Sequence, residues 1–581
     1  MNQFRWMYRV LILVVGCVPV GLLFFAVSAE TAPLSSPSST SIEIANISGI
    51  EGQTIGIFGN DFGSTQGSGS VTILGSAAAI GTWSDTFISA TVPSVANGTG
   101  LLQLTTDSGI TATSPFTVYS VDTNFLVPID PELTNIFSGK TAVLHNLESS
   151  FCFRQPGNSN TAATEFLTDY HCGFAGYTNS GSAEFTADSS LGQAGIVAVD
   201  VGQTLAGNYY FQFFSENNWY PRLDEVSYRH SFPRDYTVQI SADSTNGLDG
   251  TWTSVITVTN NIRSIRNHHF TVSSSSASWV RLHVTDGITD HTATAGRDFS
   301  LREVRLYEAN TASTLRPDSV AHYGDSLSAD AFQLIGPQGF AELARTTSTP
   351  TPSNDLMFTS FGLSGQNSSG FVDQPTVDYD IHDALALDNL DTHALYWGLS
   401  IGVNDVANGA ANISNPNSNI YHYPARLDTI VQTLIAQGRV PILARITDTD
   451  ESQGGFGDLA SKKHVLEAID TVAATYGLIP GPDLYTAFRL NIEQDGASYF
   501  KGDGTHHVTA GQARMVELWA EAFAAGTAQS LTPTGTTLAS VSAENPFHDP
   551  TWHKLGFLLL LMVTLPILHQ SGQLKRSSYS G

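Results

Sequence analysis

The sequence predicts a multidomain chain in which two strand-rich domains precede a three-layer α/β domain with a parallel sheet. Three observations predict it. The chain has 581 residues, too long for one ordinary domain. Residues 42–310 run as short alternating segments broken by Gly, Asn and Ser. After Arg316-Pro317 the pattern changes to buried apolar runs joined by stretches of helical period.

Composition narrows the function classes. A hydrophobic content of 41% supplies apolar material for several cores and rules out wholesale disorder. Acidic residues number 53 against 26 basic, a formal charge of −27, so no basic surplus exists to neutralise phosphates. That argues against a nucleic-acid partner. Only 14% of residues are charged and 51 are Gly, the composition of a secreted, loop-heavy, β-rich protein. Of the cysteines, Cys17 falls in a segment expected to be removed. Cys152 and Cys172 are then expected to form one disulfide, closing a loop of about twenty residues worth roughly 3 kcal/mol; two buried thiols are the alternative.

At the N-terminus, Arg5 and Arg9 precede an apolar run from Val10 to Val27, and Val27-Ser28-Ala29 offers small residues for a signal peptidase. Residues 1–29 therefore read as a signal peptide, with an uncleaved anchor as the alternative, and 30–41 as a linker. At the other end, a Thr/Ser/Pro-rich stretch over 527–551 isolates the apolar run Leu555 to Leu568, which Lys575 and Arg576 follow. At 1.5 Å per residue the run spans about 21 Å of a roughly 30 Å hydrocarbon layer, a gap that Trp552 and a snorkelling Lys554 help close. Residues 552–570 are read as a membrane anchor, or as a sorting segment cut off after export. The protein is thus expected at the cell surface, or secreted if that segment is removed.

Residues 42–120 alternate apolar and polar positions, as in Thr54-Ile55-Gly56-Ile57-Phe58 and Val71-Thr72-Ile73-Leu74, and predict a small β-sandwich. Gly49, Gly52, the run Gly59-Asn60-Asp61-Phe62-Gly63, Trp83, Val92-Pro93 and Phe116-Thr117-Val118 resemble the immunoglobulin-like TIG fold. Nothing there resembles a catalytic group, so a spacer is expected. Residues 121–312 carry Tyr236 to Ser241, Gly250 to Val255, Trp279 to Val284 and Leu301 to Tyr307 as successive strands. Their order resembles the discoidin-like, galactose-binding jelly roll, which implies a module that binds glycan. Trp219 and Tyr220 are candidate sugar-stacking residues there, with sandwich core as the alternative for Trp219. His268, His269 and His171 lack ligand spacing, so no metal is assigned.

In residues 317–526, Leu427, Ile430, Val431, Leu434 and Ile435 share one helical face that Gly438 ends. Val465, Leu466, Ile469, Val472 and Tyr476 share another, ended by Gly477. Thr509 and Gln512 predict a capping box for a third helix. Buried strands between such helices predict a parallel sheet with ligands at its carboxyl edge.

Four blocks fall at predicted strand ends: Gly324-Asp325-Ser326-Leu327, Gly362-Leu363-Ser364-Gly365, Gly402-Val403-Asn404-Asp405 and Asp503-Gly504-Thr505-His506. A serine on a strand-to-helix turn displays its hydroxyl at the sheet edge, with helix-start amides nearby for an oxyanion. Asp503 and His506 are close enough in the chain for one to orient the other. In this order the blocks resemble the SGNH (GDSL-type) family of serine esterases and acylhydrolases. The resemblance implies Ser326 as nucleophile, His506 as general base and Asp503 as the carboxylate that fixes the imidazole. It implies an oxyanion hole from the Ser326 and Gly365 amides and the Asn404 side chain. His507 departs from the family pattern; its spacing to Asp503 favours His506 as base. For Asp325 and Asp405, capping of the helices that follow is the plain structural alternative, and for Gly324, Gly362 and Gly402, tight turns.

The expected activity is hydrolysis of O-acyl esters, acetyl first among them, on a polysaccharide or glycan, through an acyl-serine and with no metal or organic cofactor. A lipase acting on lipid or short-chain esters is one alternative; a surface adhesin that binds without catalysis is another. Metal-assisted deacetylation through Asp325, His506 and His507 lacks a supporting His-x-x-x-His or acidic cluster.

Overall fold

The computed structural model describes residues 40–127, 133–137, 140–145, 184–185, 195–214, 231–261, 265–273, 276–289, 299–300, 303–309, 315–334, 344, 356–363, 365–373, 380–407 and 412–528. The signal peptide, residues 30–39 and 529–551 of the two linkers, the 552–570 segment, Cys152, Cys172, Trp219 and Tyr220 lie outside them, while Ser41 opens the first strand and the last helix runs to Ala528. Among the described residues no helix is long and apolar enough to cross a membrane.

The first domain is a β-sandwich. One sheet orders Ser41–Ala45, Thr54–Asn60, Phe87–Thr91 and Ala79–Trp83; the facing sheet includes Ser70–Ile73, Gly98–Thr105 and Thr111–Val118. Ile55, Ile57, Val71, Ile73, Leu102, Leu104 and Phe116 fill the space between them. The strand Thr54–Asn60 is buried on both faces, unlike the half-buried strand its alternation predicts. Successive side chains leave a strand on opposite sides. Ile55 and Ile57 enter the sandwich, while Phe58 joins the core of the α/β domain. A Cβ on Gly56 would lie 2.5 Å from Thr486 Oγ1. Phe58 packs on Phe87 at 4.8 Å and on Tyr485 at 5.9 Å between ring centroids. Ile47 N–H donates to Asp470 Oδ2 at 2.9 Å, and Ser48 Oγ to the Asp470 carbonyl at 2.7 Å. The expected spacer is therefore corrected: this domain is packed onto the third and shares its core.

The second domain is an antiparallel sandwich. Its four-stranded sheet orders Thr134–Asn135, Glu303–Ala309, Gly207–Phe214 and Ile265–Val272. The five-stranded sheet orders Ala142–His145, Gly195–Asp200, Trp279–Thr289, Ser231–Ser241 and Trp252–Val258. Again one strand serves two interfaces. Phe211 and Phe213 enter the sandwich core. Their neighbours turn outward: Tyr210 OH lies 3.0 Å from His393 Nδ1, and Gln212 Nε2 donates to the Phe358 carbonyl at 3.3 Å. Asn267 Nδ2 donates to Thr359 Oγ1 at 2.6 Å and to Thr392 Oγ1 at 2.9 Å.

The third domain holds a five-stranded parallel sheet ordered Met357–Gly362, Arg316–Gly324, Ala394–Ser400, Val440–Arg445 and Ile479–Asp483. In chain order that is 2-1-3-4-5, which places the topological switch point between the first and third strands. The helix Asn419–Ala436 buries Leu427, Ile430, Val431 and Leu434, as its period predicts. The helix Leu459–Tyr476 starts on a capping box of Asp458 and Ser461 and ends on a left-handed Gly477. The expected box of Thr509 and Gln512 is corrected. The last helix, Thr509–Ala528, begins on Thr509 itself, so Gln512 sits one position too deep. Its N–H donates to the Val508 carbonyl and its side chain to the His507 carbonyl, both at 3.0 Å.

Candidate active site

Strand one ends at Gly324 and the helix Ser326–Leu334 begins two residues later. Two glycines make so tight a turn possible by letting the helix approach the sheet. A Cβ on Gly324 would lie 2.6 Å from Ser328 Cβ, and one on Gly362 would lie 2.3 Å from Ala329 N. Neither has a positive φ, so close approach, rather than the turn conformation itself, demands glycine. Gly402, at φ +143°, does need its conformational freedom.

Asp325 lies inside the turn, buried, and accepts the Leu327 N–H at 3.0 Å. Burial raises its pKa to about 7, opposed by hydrogen bonds from the Leu327 and Ser328 amides. It caps its own helix, as the structural alternative had it. Asp405 instead accepts from Ser368 Oγ at 2.7 Å and Ser368 N at 3.0 Å, tying down the first residue of the earlier helix Ser368–Val372, which Asn367 caps. The capping expectation holds for Asp325 and is corrected for Asp405.

The Asp503–His506 loop is built by a local carboxylate. Asp503 Oδ1 accepts the N–H groups of Thr505 and His506 at 3.0 and 2.9 Å, a self-made turn of the kind Asp favours. That leaves Oδ2 free to meet His506 Nδ1 at 2.8 Å. Lys501 N–H to the His506 carbonyl at 2.7 Å and Val508 N–H to the Tyr499 carbonyl at 2.9 Å close the hairpin around it. Burial works to raise the Asp503 pKa, but the hydrogen bonds from Thr505 and His506 bring it below the ordinary carboxylate value. An ionised carboxylate only accepts, so Nδ1 carries the proton and Nε2 presents a lone pair. Nε2 lies 3.1 Å from Ser326 Oγ.

His507 points the other way. Its ring is buried and stacked on Phe488 at 4.2 Å, and burial together with the nearby His506 and Lys501 lowers its pKa to about 3. Of the two adjacent imidazoles, only His506 reaches the serine.

The remaining blocks are stitched to the first. Leu363 N–H donates to the Gly324 carbonyl at 2.9 Å, and Gly365 follows in a turn at φ +73°. Asn404 Nδ2 donates to the Gln366 carbonyl at 2.9 Å. One amide hydrogen thus orients the Asn404 side chain, leaving the second for another acceptor. Ser326, Gly365, Asn404 and His506 therefore gather at the carboxyl edge of the first, second and third strands. Sequence reasoning missed Gln366, Ser368 and the loop 446–458, which supports the His506 hairpin. The polar run Thr447-Asp448-Thr449-Asp450 directly after a buried strand was the available signal. Among the described residues no group of three or more His, Cys, Asp or Glu is placed to hold a metal ion.

No curated protein matches the chain in sequence. Among solved structures, it is similar to the lipase/acylhydrolase from Enterococcus faecalis at 16% identity, covering 38% of this chain and 99% of that one, with a TM-score of 0.27. An acetylxylan esterase from Geobacillus stearothermophilus gives 16% identity, 36% and 93% coverage and a TM-score of 0.26. Chitosan-binding module 1 from a chitosanase/glucanase of Paenibacillus sp. IK-5 gives 21%, 30% and 98%, and 0.19. Residues 37–119 match the IPT/TIG domain family, so the sandwich at the N-terminal side of the described chain is a TIG domain.

Proposed function

We propose that residues 317–526 form a serine esterase that cleaves O-acyl esters through an acyl-Ser326 intermediate. The single observation that carries this reading is the continuous hydrogen-bonded relay from Ser326 Oγ through His506 to Asp503, at 3.1 and 2.8 Å. His506 Nε2 takes the Ser326 proton as Oγ attacks the acyl carbon, and Asp503 stabilises the resulting imidazolium. The Ser326 and Gly365 amides and the second Asn404 amide hydrogen receive the tetrahedral oxyanion. His506 then gives its proton to the departing alcohol, and water repeats the sequence to free Ser326.

A small pocket lined by Tyr323, Gly324, Phe361, Leu363, Gln366, Phe371 and Ile401 adjoins this edge. Its walls are mostly apolar side chains, which suits the methyl of an acetyl group. The antiparallel sandwich docked beside the sheet, whose strand order resembles that of a discoidin-like module, favours a glycan as the acetylated partner. Export through residues 1–29 and tethering through 552–570 belong to the same proposal. The test is acetate release from a panel of acetylated and deacetylated polysaccharides. Release from the acetylated members supports the reading; retention of the glycan with no release supports the adhesin.

A further inference from the structure

The loop 446–458 leaves the fourth strand at the carboxyl edge, beside the proposed catalytic residues. On one side it is bound to the His506 hairpin. Asp450 N–H donates to the Gly504 carbonyl at 2.7 Å, and Phe456 N–H to Thr505 Oγ1 at 3.2 Å. On its other side it meets the short helix Val403–Val406 that holds Asn404, where a Cβ on Gly457 would lie 2.8 Å from Val406 Cβ. Gly455 has no room for a side chain either, with a Cβ 2.6 Å from the Gly504 carbonyl.

The loop is fixed from below as well. Lys462 Nζ is buried and bonds Asp448 Oδ1 at 2.7 Å and the Thr449 carbonyl at 3.0 Å. Thr449 Oγ1 in turn donates to the Phe456 carbonyl. On this rigid rim Phe456 is left 38% exposed. A lone exposed phenyl on an outer surface needs no explanation. This one is carried by backbone that stands between the residue preceding the proposed general base and the helix of a proposed oxyanion donor.

We propose that Phe456 is the platform on which the ring of the leaving alcohol lies, a pyranose presenting its C–H face. The inference rests on the esterase reading above. His506 protonates the departing oxygen, so the alcohol half of the ester leaves on the side of the hairpin, to which the loop carrying Phe456 is bonded. The C–H face of a sugar ring is apolar, and an aromatic ring covers it with large contact area at little cost in rotamer freedom.

The experiment compares glucose pentaacetate, whose alcohol is a ring, with methyl acetate, whose alcohol offers nothing to stack. Phe456→Ala is expected to raise KM for the pentaacetate by about 3–10-fold, the ratio that corresponds to one aromatic contact. Turnover of methyl acetate should stay within about twofold, and Phe456→Trp should restore the pentaacetate KM. An equal loss on both esters overturns the platform in favour of a role in holding the hairpin, and no change on either overturns it outright. Wild-type protein that cleaves neither ester overturns the esterase reading itself, which separates the two failures.

Discussion

Ser326→Ala is expected to lower kcat for p-nitrophenyl acetate by about 10⁴-fold or more, with little change in melting temperature. The hydroxyl removed is the atom that would bond to carbon, so no neighbouring group replaces it. The loss should stop short of the uncatalysed rate, because the amides at Ser326 and Gly365 and the Asn404 side chain stay in place. Little structure depends on the hydroxyl, whose hydrogen bond is to His506. Equal rates for variant and wild type would place any hydrolysis elsewhere on the chain.

The second large effect is expected at Asp503. Asp503→Asn can keep an oxygen on the Thr505 and His506 amides, so the hairpin should fold. Its NH₂ group then faces His506 Nδ1, which stabilises the tautomer with the proton on Nε2 and removes the lone pair aimed at Ser326. In a buried triad that exchange costs about 10⁴ in kcat. The Asp503 side chain is 52% exposed, so water can serve in its place, and a smaller loss of about 10²–10³ is expected here. His507→Phe, which keeps the stack on Phe488, should leave kcat within about threefold. Measuring both variants by steady-state kinetics decides between the adjacent imidazoles; a greater loss from His507→Phe would reverse the assignment.

The parts legible in sequence are those whose physics is local. Ala394–Ser400 is read from its apolar run because a central parallel strand is buried on both faces. The Asp503 to His506 relation is legible because one carboxylate builds the turn and orients the ring within four residues. Gly477 ends a helix as its position predicts, in the left-handed conformation. What escaped depends on partners distant in the chain. Nothing in Thr54 to Phe58 announces that Phe58 meets Tyr485, and nothing in Asp405 announces a helix that starts at Ser368. Alternation reports that a strand has two faces, and it cannot say that the second is also covered. The same applies to Tyr210 and Gln212, whose polar tips close an interface with His393 and Phe358, both more than a hundred residues away in the chain.

The interfaces give the domain order a mechanical sense. The first sandwich braces the helices Leu459–Tyr476 and Leu484–Asp495 through Asp470 and Tyr485, and the second covers the edge strand Met357–Gly362 through Gln212 and Asn267. An uncovered edge strand is open to pairing with other chains.

The most direct measurement treats the folded protein with a fluorophosphonate, which bonds preferentially to a serine activated as the relay requires, and maps the adduct by peptide mass spectrometry. The account predicts one stoichiometric adduct on the peptide containing Ser326, absent from Ser326→Ala and from heat-unfolded protein. An adduct on another residue, or none while Ser326 remains intact, would contradict it.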